Sequence, residues 1–236
     1  MKVSLTRRAT AEAIGTAMLL AAVVGSGIMG ERLAGGNVAI ALLANTLATG
    51  AALVALILTF EAISGAHLNP VVSLSAAWQA DLPWRDVPVY VLAQILGAFA
   101  GVASAHLMFG LPLFSASRHV RTGGAQMFSE FIATFGLLTV IRACARFRAQ
   151  AVAFAVAAYI TAAYWFTAST SFANPAVTLA RSMSDTFVGI RPADTPGFIT
   201  AQLAGAAAAT ILFRWLASSS PGRAIGDAVS REEQND

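Results

Sequence analysis

Six long apolar runs alternate with short polar segments along the 236 residues of this chain. A helix needs about 20 mostly apolar residues to cross a bilayer, and each run comes close to that length. The pattern therefore predicts an all-α membrane protein with six transmembrane helices. The six runs are Ala9 to Met29, Val38 to Phe60, Val87 to Phe109, Gln126 to Ala143, Gln150 to Thr167 and Gly197 to Leu216.

Two shorter apolar stretches follow the second and fifth runs, and each opens with Asn-Pro, at Asn69-Pro70 and at Asn174-Pro175. Asparagine is a preferred helix N-cap, and proline suits the first helical position because its missing N–H needs no partner there. The stretches end at Asp81 and Asp185, which leaves each of them too short to span a bilayer. We therefore expect two re-entrant half-helices.

The chain repeats itself. The segment Glu12-Ala13-Ile14-Gly15-Thr16 matches Glu130-Phe131-Ile132-Ala133-Thr134, and Ala93-Gln94-Ile95-Leu96-Gly97-Ala98 matches Ala201-Gln202-Leu203-Ala204-Gly205-Ala206. Three spans per repeat is an odd number, so the second copy should enter the membrane from the opposite face. An inverted repeat with a broken segment in each half is typical of a solute pathway at the membrane midplane. We divide the chain into a first repeat (residues 1–110), a linker (111–125), a second repeat (126–217) and a polar cytoplasmic tail (218–236).

The composition agrees with this pattern. Hydrophobic residues make up 57% of the chain and charged residues 11%, against about 45–50% and 25% in soluble domains. A cleavable signal peptide has an apolar region of about 7–15 residues. The first run is longer and carries Glu12, so we expect it to remain as a membrane span. Cys144 is the single cysteine, which excludes an internal disulfide.

The distribution of basic residues predicts the orientation. No basic cluster exceeds a few residues, which argues against a nucleic-acid partner despite the pI of about 9.6. Basic residues are enriched in cytoplasmic loops, and we expect both termini to be cytoplasmic. The cytoplasmic set is Lys2, Arg7, Arg8, Arg85, Arg142, Arg146, Arg148, Arg214, Arg223 and Arg231, and the opposite set is Arg32, Arg118, Arg121, Arg181 and Arg191.

Half-helices that enter from opposite faces would meet at Asn69 and Asn174. Each helix N-terminus carries roughly half a positive charge from its aligned peptide dipoles, which opposes cations and protons. The two amides can donate hydrogen bonds to the oxygen of a passing solute. Backbone carbonyls of the preceding loops can accept hydrogen bonds from its hydroxyls, and the candidates are Gly65, Ala66, His67, Ser171, Phe172 and Ala173.

These motifs resemble the aquaporin and aquaglyceroporin (major intrinsic protein) superfamily. The resemblance covers Glu12 through Ala206 and rests on the two Asn-Pro motifs, the paired glutamates and the Ala-Gln repeats. It implies an aquaporin-like bundle of six spans, a homotetramer with one pore per subunit, and passive transport of small uncharged solutes. It also implies an integral protein of a bacterial inner membrane, with membrane lipid as its other partner.

The departures from the family pattern concern its selectivity filter. The family usually places arginine three residues after the second asparagine, where this chain has Val177, and Arg181 lies one turn further on. Counting back from the asparagines puts the other filter positions at Thr49, Ala162 and Ser171. We therefore expect a wide, weakly polar and uncharged filter. It resembles that of bacterial aquaglyceroporins associated with arsenic resistance, which suggests arsenite, antimonite, methylated arsenicals and glycerol-like polyols as solutes.

Two alternatives remain open at this stage. The chain could be an ordinary water or glycerol facilitator, or an ion-coupled transporter that uses Glu12 and Glu130. Their matched placement beside the half-helix loops favours a role as buried acceptors that anchor loop N–H groups. The three scattered histidines predict no metal site, no motif indicates a cofactor, and no nucleophile with a base indicates catalysis.

Overall fold

The computed structural model describes residues 3–218, and its regular secondary structure in that range consists of helices, with no strand. Six of its helical segments are long and apolar enough to cross a membrane. The predicted all-α fold with six spans is confirmed. The helices are α1 (Leu5–Leu33), α2 (Val38–Ser64), α3 (Pro70–Trp78), α4 (Val87–Met108), α5 (Gly124–Phe147), α6 (Val152–Phe166), α7 (Pro175–Arg181) and α8 (Thr195–Ser218).

Short 3₁₀ turns lead into α4, α6 and α8, at Trp84–Asp86, Ala149–Ala151 and Pro192–Asp194. The half-helices α3 and α7 end before the aspartates that close their apolar stretches. The division into repeats at 1–110 and 126–217 stays a prediction. The predicted tail, 218–236, lies outside the described residues except for Ser218.

Local sequence explains where several helices begin and end. Ser4 and Asn37 cap the N-termini of α1 and α2, and the Asn37 side chain accepts from the backbone N–H groups of Ala39 and Ile40 at 3.1 and 3.2 Å. Gly65 ends α2 in the left-handed region with φ 89°. Glycine adopts that conformation without steric cost, so the chain can turn there into the loop before α3.

The glycines of α4 and α8 let the first and last helices of each half approach closely. A Cβ atom at Gly97 or Gly101 would lie 2.2 Å from the backbone oxygens of Ala13 and Ala17 in α1. A Cβ atom at Gly205 would lie 2.4 Å from the backbone oxygen of Phe131 in α5. Small residues at such contacts let helix backbones pack directly in a membrane.

The linker between α4 and α5 lies along the loop that follows α7. The backbone N–H of Ser117 donates to the Ser182 carbonyl at 2.9 Å. The Arg118 backbone N–H donates to Asp185 Oδ1 at 2.9 Å and its side chain pairs with Oδ2 at 2.8 Å, and these bonds lower the pKa of that half-buried carboxyl. His106 is buried at the end of α4, and its Nε2 lies 2.8 Å from Ser184 Oγ. The linker therefore ties the first half of the chain to the loops of the second.

Candidate functional site

The half-helices α3 and α7 meet at their N-termini. The Asn69 side-chain amide donates to the Ala173 carbonyl, and the Asn174 amide donates to the Leu68 carbonyl, both at 2.8 Å. Each asparagine also caps its own helix through Oδ1, which accepts from the N–H of Val71 in one case and from that of Ala176 in the other. Pro70 and Pro175 occupy the first helical positions.

This arrangement places two helix N-termini and two amide groups at one point. Each Nδ2 carries two hydrogens, and the bond to the opposite loop uses only one of them. The remaining hydrogens and the positive ends of both helix dipoles favour a neutral or electron-rich oxygen between Asn69 and Asn174.

The loops before the half-helices have an unusual backbone. Ala66 and Leu68 have φ of 47° and 51°, and their counterparts Ser171 and Ala173 have φ of 51° and 47°. Residues other than glycine rarely adopt such angles, which cost about 1–3 kcal/mol each and persist only where the surroundings hold them. The two buried glutamates supply that support.

Glu12 accepts four hydrogen bonds from the first loop and its neighbours. Its Oε1 accepts from the Ser64 hydroxyl at 2.6 Å and from the His67 N–H at 2.9 Å. Its Oε2 accepts from the Leu68 N–H at 2.6 Å and from the Gln94 amide at 2.8 Å. The carboxylate is fully buried, and each of its oxygens is bound by two donors.

Glu130 does the same in the second half. Its Oε1 accepts from the Ser169 hydroxyl at 2.6 Å and the Phe172 N–H at 2.8 Å. Its Oε2 accepts from the Ala173 N–H at 2.8 Å and the Gln202 amide at 2.6 Å. The two glutamates thus fix the loops whose carbonyls were predicted to face a solute.

A cavity of about 430 Å³ passes between the half-helices, and Gly65, Ala66, His67, Phe172 and Ala173 line it together with both asparagines. On α2 and α6 the lining residues recur every fourth position, which makes one continuous stripe on each helix. Twelve residues of a helix rise about 18 Å, which is the length of each stripe. The stripes are Thr49, Leu53, Ile57 and Glu61 on α2, and Val152, Val156, Ile160 and Tyr164 on α6.

The prediction that Ala162 lines the filter is wrong. Ala162 is exposed on α6 and lies outside the cavity lining, whereas Ile160 and Tyr164 line it. Two residues along a helix correspond to a rotation of about 200°, so Ala162 lies on the opposite face from this stripe. The α6 side chain at this end of the cavity is an aromatic ring instead of a methyl group.

We call one end of the cavity the Arg181 mouth, and Thr49, Tyr164, Ser171, Val177 and Arg181 line it. The Tyr164 hydroxyl donates to Thr49 Oγ1 at 3.3 Å. The Ser171 hydroxyl is buried and has no hydrogen-bond partner among the described residues. The Arg181 side chain also contributes to this mouth, and the expectation of an uncharged filter at the other positions stays a prediction.

We call the other end the Arg142 mouth, and it is lined by Glu61, Asp81, Arg142 and Ala145. Arg142 Nη1 pairs with Asp81 at 2.7 Å, and its Nη2 donates to Ser75 Oγ at 3.1 Å. The sequence predicts Arg142 as a basic residue at the cytoplasmic end of the fourth span. In the fold it is a buried residue of α5 whose charge is balanced by Asp81.

The remaining observations concern side chains that can bind a metal ion or act as nucleophiles. No group of three or more metal-ligating side chains occurs within residues 3–218. Cys144 is half-buried and does not line the cavity. His67 lines it, with Nδ1 lying 3.0 Å from Ser73 Oγ.

Comparison with known proteins agrees with this geometry. Residues 1–148 match the sequence model of the family described as "Major intrinsic protein". The chain is 58% identical over 228 residues to the aquaglyceroporin AqpS of Rhizobium meliloti, a match that covers 97% of each chain. It is 37% identical over 93 residues to the glycerol uptake facilitator protein of Bacillus subtilis, which covers 34% of each chain.

The fold also matches a solved structure. The X-ray structure of the aquaglyceroporin from Plasmodium falciparum superimposes with a TM-score of 0.65 at 23% identity, covering 89% of this chain and 94% of that one. The matched family model, the near full-length relative and the paired half-helices agree. The chain is an integral membrane protein of the major intrinsic protein family, a family of channels that pass small neutral solutes.

Proposed function

We propose that this protein is a passive channel for small uncharged solutes, including neutral metalloid hydroxides and glycerol-like polyols as well as water. The observation that carries the proposal is the cavity between Asn69 and Asn174, which ends at a mouth with valine at position 177. Solutes pass in single file between the two amides, where helix dipoles oppose cations.

The binding chemistry favours solutes rich in hydroxyl groups. Loop carbonyls accept hydrogen bonds, the Ser171 hydroxyl has no partner among the described residues, and Thr49 and Tyr164 add further oxygens. Arsenite, antimonite and glycerol each carry three hydroxyls on a small neutral centre and can engage donors and acceptors together. Two relatives are named for an aquaglyceroporin and a glycerol uptake facilitator, which agrees with a pore of this class.

Ion-coupled transport is disfavoured by the same geometry. A coupling carboxylate must exchange protons or ions with the pathway, but Glu12 and Glu130 are fully buried outside the cavity lining. All four of their oxygens are already bound by donors of the loops. We therefore assign both glutamates an anchoring role.

The assembly and orientation belong to the same proposal. We place the chain in a bacterial inner membrane as a homotetramer, with both termini cytoplasmic and the Arg142 mouth on the cytoplasmic side. The excess of basic residues on that side supports this orientation. The relative from Rhizobium meliloti supports the bacterial membrane.

The test is a graded series of neutral solutes on purified protein in liposomes: water, glycerol, arsenite and a methylated arsenical. Val177→Arg adds a long side chain with five donors at the Arg181 mouth. We expect the flux of the larger solutes relative to water to fall roughly tenfold or more, as for a change in fit of a few atoms. Val177→Leu is the matched control, because it adds bulk without charge.

Thr49→Phe should act in the same direction, because Thr49 lies across the mouth. Unchanged flux ratios in both Val177→Arg and Thr49→Phe would show that these positions do not line the constriction. Wild-type flux of water and glycerol without arsenite flux would favour the ordinary facilitator. Uptake that needs a proton gradient and is lost in Glu130→Gln would favour the transporter.

A further inference from the structure

Arg181 differs from Arg142, the other arginine in the cavity lining. It is the last residue of α7, it is 1% exposed, and it belongs to the cavity lining. Side chains of a helix point back toward its N-terminus. The guanidinium therefore extends from its own turn toward that of Val177, one turn nearer the pore centre.

Two contacts hold this guanidinium in place. Its Nε donates to the Val188 carbonyl, and its central carbon lies 3.3 Å above the ring centroid of Phe172. Phe172 belongs to the loop that Glu130 anchors, so the arginine rests on a fixed platform. The Nε bond and the ring face leave the four Nη hydrogens with no protein acceptor among the described residues.

The Arg181 guanidinium forms no ion pair with a carboxylate among the described residues, although the buried charge of Glu130 acts on it through space. The ion pairs within residues 3–218 do not include it, and Glu130 in the same region is bound by four other donors. An unpaired charge is costly inside a membrane unless it faces water or polar groups. Arg181 belongs to the cavity lining, so the open space and polar groups of the mouth are the environment available to its charge.

A second arginine adds to the same positive region. The Arg121 guanidinium lies 5.0 Å from the Phe172 ring centroid and donates only to carbonyls, those of Gly189 and Ser169. Burial lowers the pKa of Arg121 to about 10, which still leaves it charged at neutral pH. At the opposite mouth, Asp81 balances Arg142, so the two ends of the pore differ in net charge.

We propose that Arg181 is a specificity-determining residue of this channel: it repels cations at the mouth and donates hydrogen bonds to acceptor oxygens of entering solutes. Arg181 supplies, from the next turn of the helix, the positive charge that Val177 lacks. The pore stays wide at position 177 because the side chain there is a valine. This proposal rests on the proposed function, because charge selection requires a conducting pore.

Urea and the guanidinium cation provide a direct test, since they are planar, nearly equal in size and differ in charge. Both fluxes are measured on the full chain in liposomes. We expect the wild type to pass urea and to exclude guanidinium. Arg181→Gln should raise the guanidinium-to-urea ratio by about tenfold or more, because one nearby unit charge is removed from a poorly screened site. Arg181→Lys keeps the charge and should leave the ratio near the wild-type value.

Arg118→Gln is the matched control. It removes a positive charge from an exposed arginine that pairs with Asp185 away from the cavity, and the ratio should not change. A purely structural role for Arg181 would lower both fluxes together and leave their ratio unchanged.

A second pair of variants keeps Arg181 itself. Val177→Asp places a carboxylate four residues before Arg181 on the same helix face, where it can neutralise the guanidinium. We expect it to raise the ratio, while Val177→Asn should not. If Arg181→Gln fails to insert into the membrane, this pair of variants tests whether the charge of Arg181 excludes cations.

An unchanged ratio in Arg181→Gln, or in Val177→Asp when the first variant does not insert, would overturn the proposal. A ratio that rises as much in Arg181→Lys as in Arg181→Gln would overturn it too, because charge would not be the cause. A wild type that conducts neither urea nor glycerol would instead refute the proposed function.

Discussion

The two halves of the molecule build their centres from the same atoms. Ser64, His67 and Leu68 bind Glu12 as Ser169, Phe172 and Ala173 bind Glu130. The glutamine of each half also reaches the half-helix, where Gln94 donates to Ser73 and Gln202 to Thr178, both at 2.9 Å. The backbone of the loops depends on these bonds, so both halves retain them.

The halves differ one turn further along the half-helices. Counted from the two asparagines, Ala76 corresponds to Arg181, and both line the cavity. His67 corresponds to Phe172, the ring on which Arg181 rests. The comparison teaches that duplicated anchors hold the same loop backbone in both halves, while the side chains at the two mouths differ.

We expect the largest effects on stability and flux from substitutions of the two asparagines. Asn69→Asp or Asn174→Asp replaces an amide donor by a carboxylate that faces the carbonyl of Ala173 or Leu68. When a buried hydrogen bond is lost and a charged group remains without a partner, the free energy of unfolding falls by about 3 kcal/mol or more. We expect both variants to melt earlier, conduct less glycerol and leak more cations, to similar extents.

Asn37→Asp provides the control for these variants, because Asn37 is an exposed N-cap where aspartate serves equally well. Thermal unfolding and liposome fluxes are the measurements. If Asn69→Asp and Asn174→Asp retain wild-type flux and leak, the pore centre does not lie between them.

A milder change compares the two anchors. Glu12→Gln and Glu130→Gln each turn one acceptor oxygen into a donor that faces another donor. Each should lower the free energy of unfolding by about 1–3 kcal/mol, and transport should stay passive and independent of pH near neutrality. The exposed Glu31→Gln at the end of α1 serves as control. A large loss in only one half would mean that the anchors are not equivalent.

The smallest effect concerns the close helix contacts. Gly97→Ala and Gly205→Ala push a methyl group against the backbone oxygens of Ala13 and Phe131. Overpacking of about 1–3 kcal/mol is partly offset by the better helix propensity of alanine, which leaves a loss of about 1 kcal/mol in each half. Gly124→Ala has open space around it and should not destabilise. Equal melting points for all three would contradict the packing argument.

The sequence predicts the meeting of the two half-helices at their asparagines because the chemistry of that contact is local. An Asn-Pro pair caps a helix wherever it stands, and a glutamate in an apolar run needs buried donors, so both patterns point to the structure that forms. Membrane spans are also predictable, since their length follows from bilayer thickness. The assignments of Thr49, Ser171 and Val177 to the filter remain predictions until flux is measured.

The sequence is a weaker guide to which side chains line the cavity and to the contacts that they make. The helical phase of α6 cannot be counted from an asparagine twelve residues away, because the intervening loop sets it, and Ala162 was assigned to the wrong face. Arg181 was placed by its Cα position, whereas its long side chain points back along the helix. His106 is one of the three scattered histidines that belong to no sequence motif, and only the fold brings it to Ser184.

The anchors also impose an order on how the chain can assemble. Every donor bound by Glu12 lies between residues 64 and 94, and every donor bound by Glu130 lies between 169 and 202. Each half can therefore close its own re-entrant loop as soon as its third span has left the ribosome. The bonds from Asn69 to Ala173 and from Asn174 to Leu68 need both halves, so the contact between the two half-helices is completed last. A half that is made alone would form its re-entrant loop, but the asparagine of that loop would lack the carbonyl of the opposite half to which it donates.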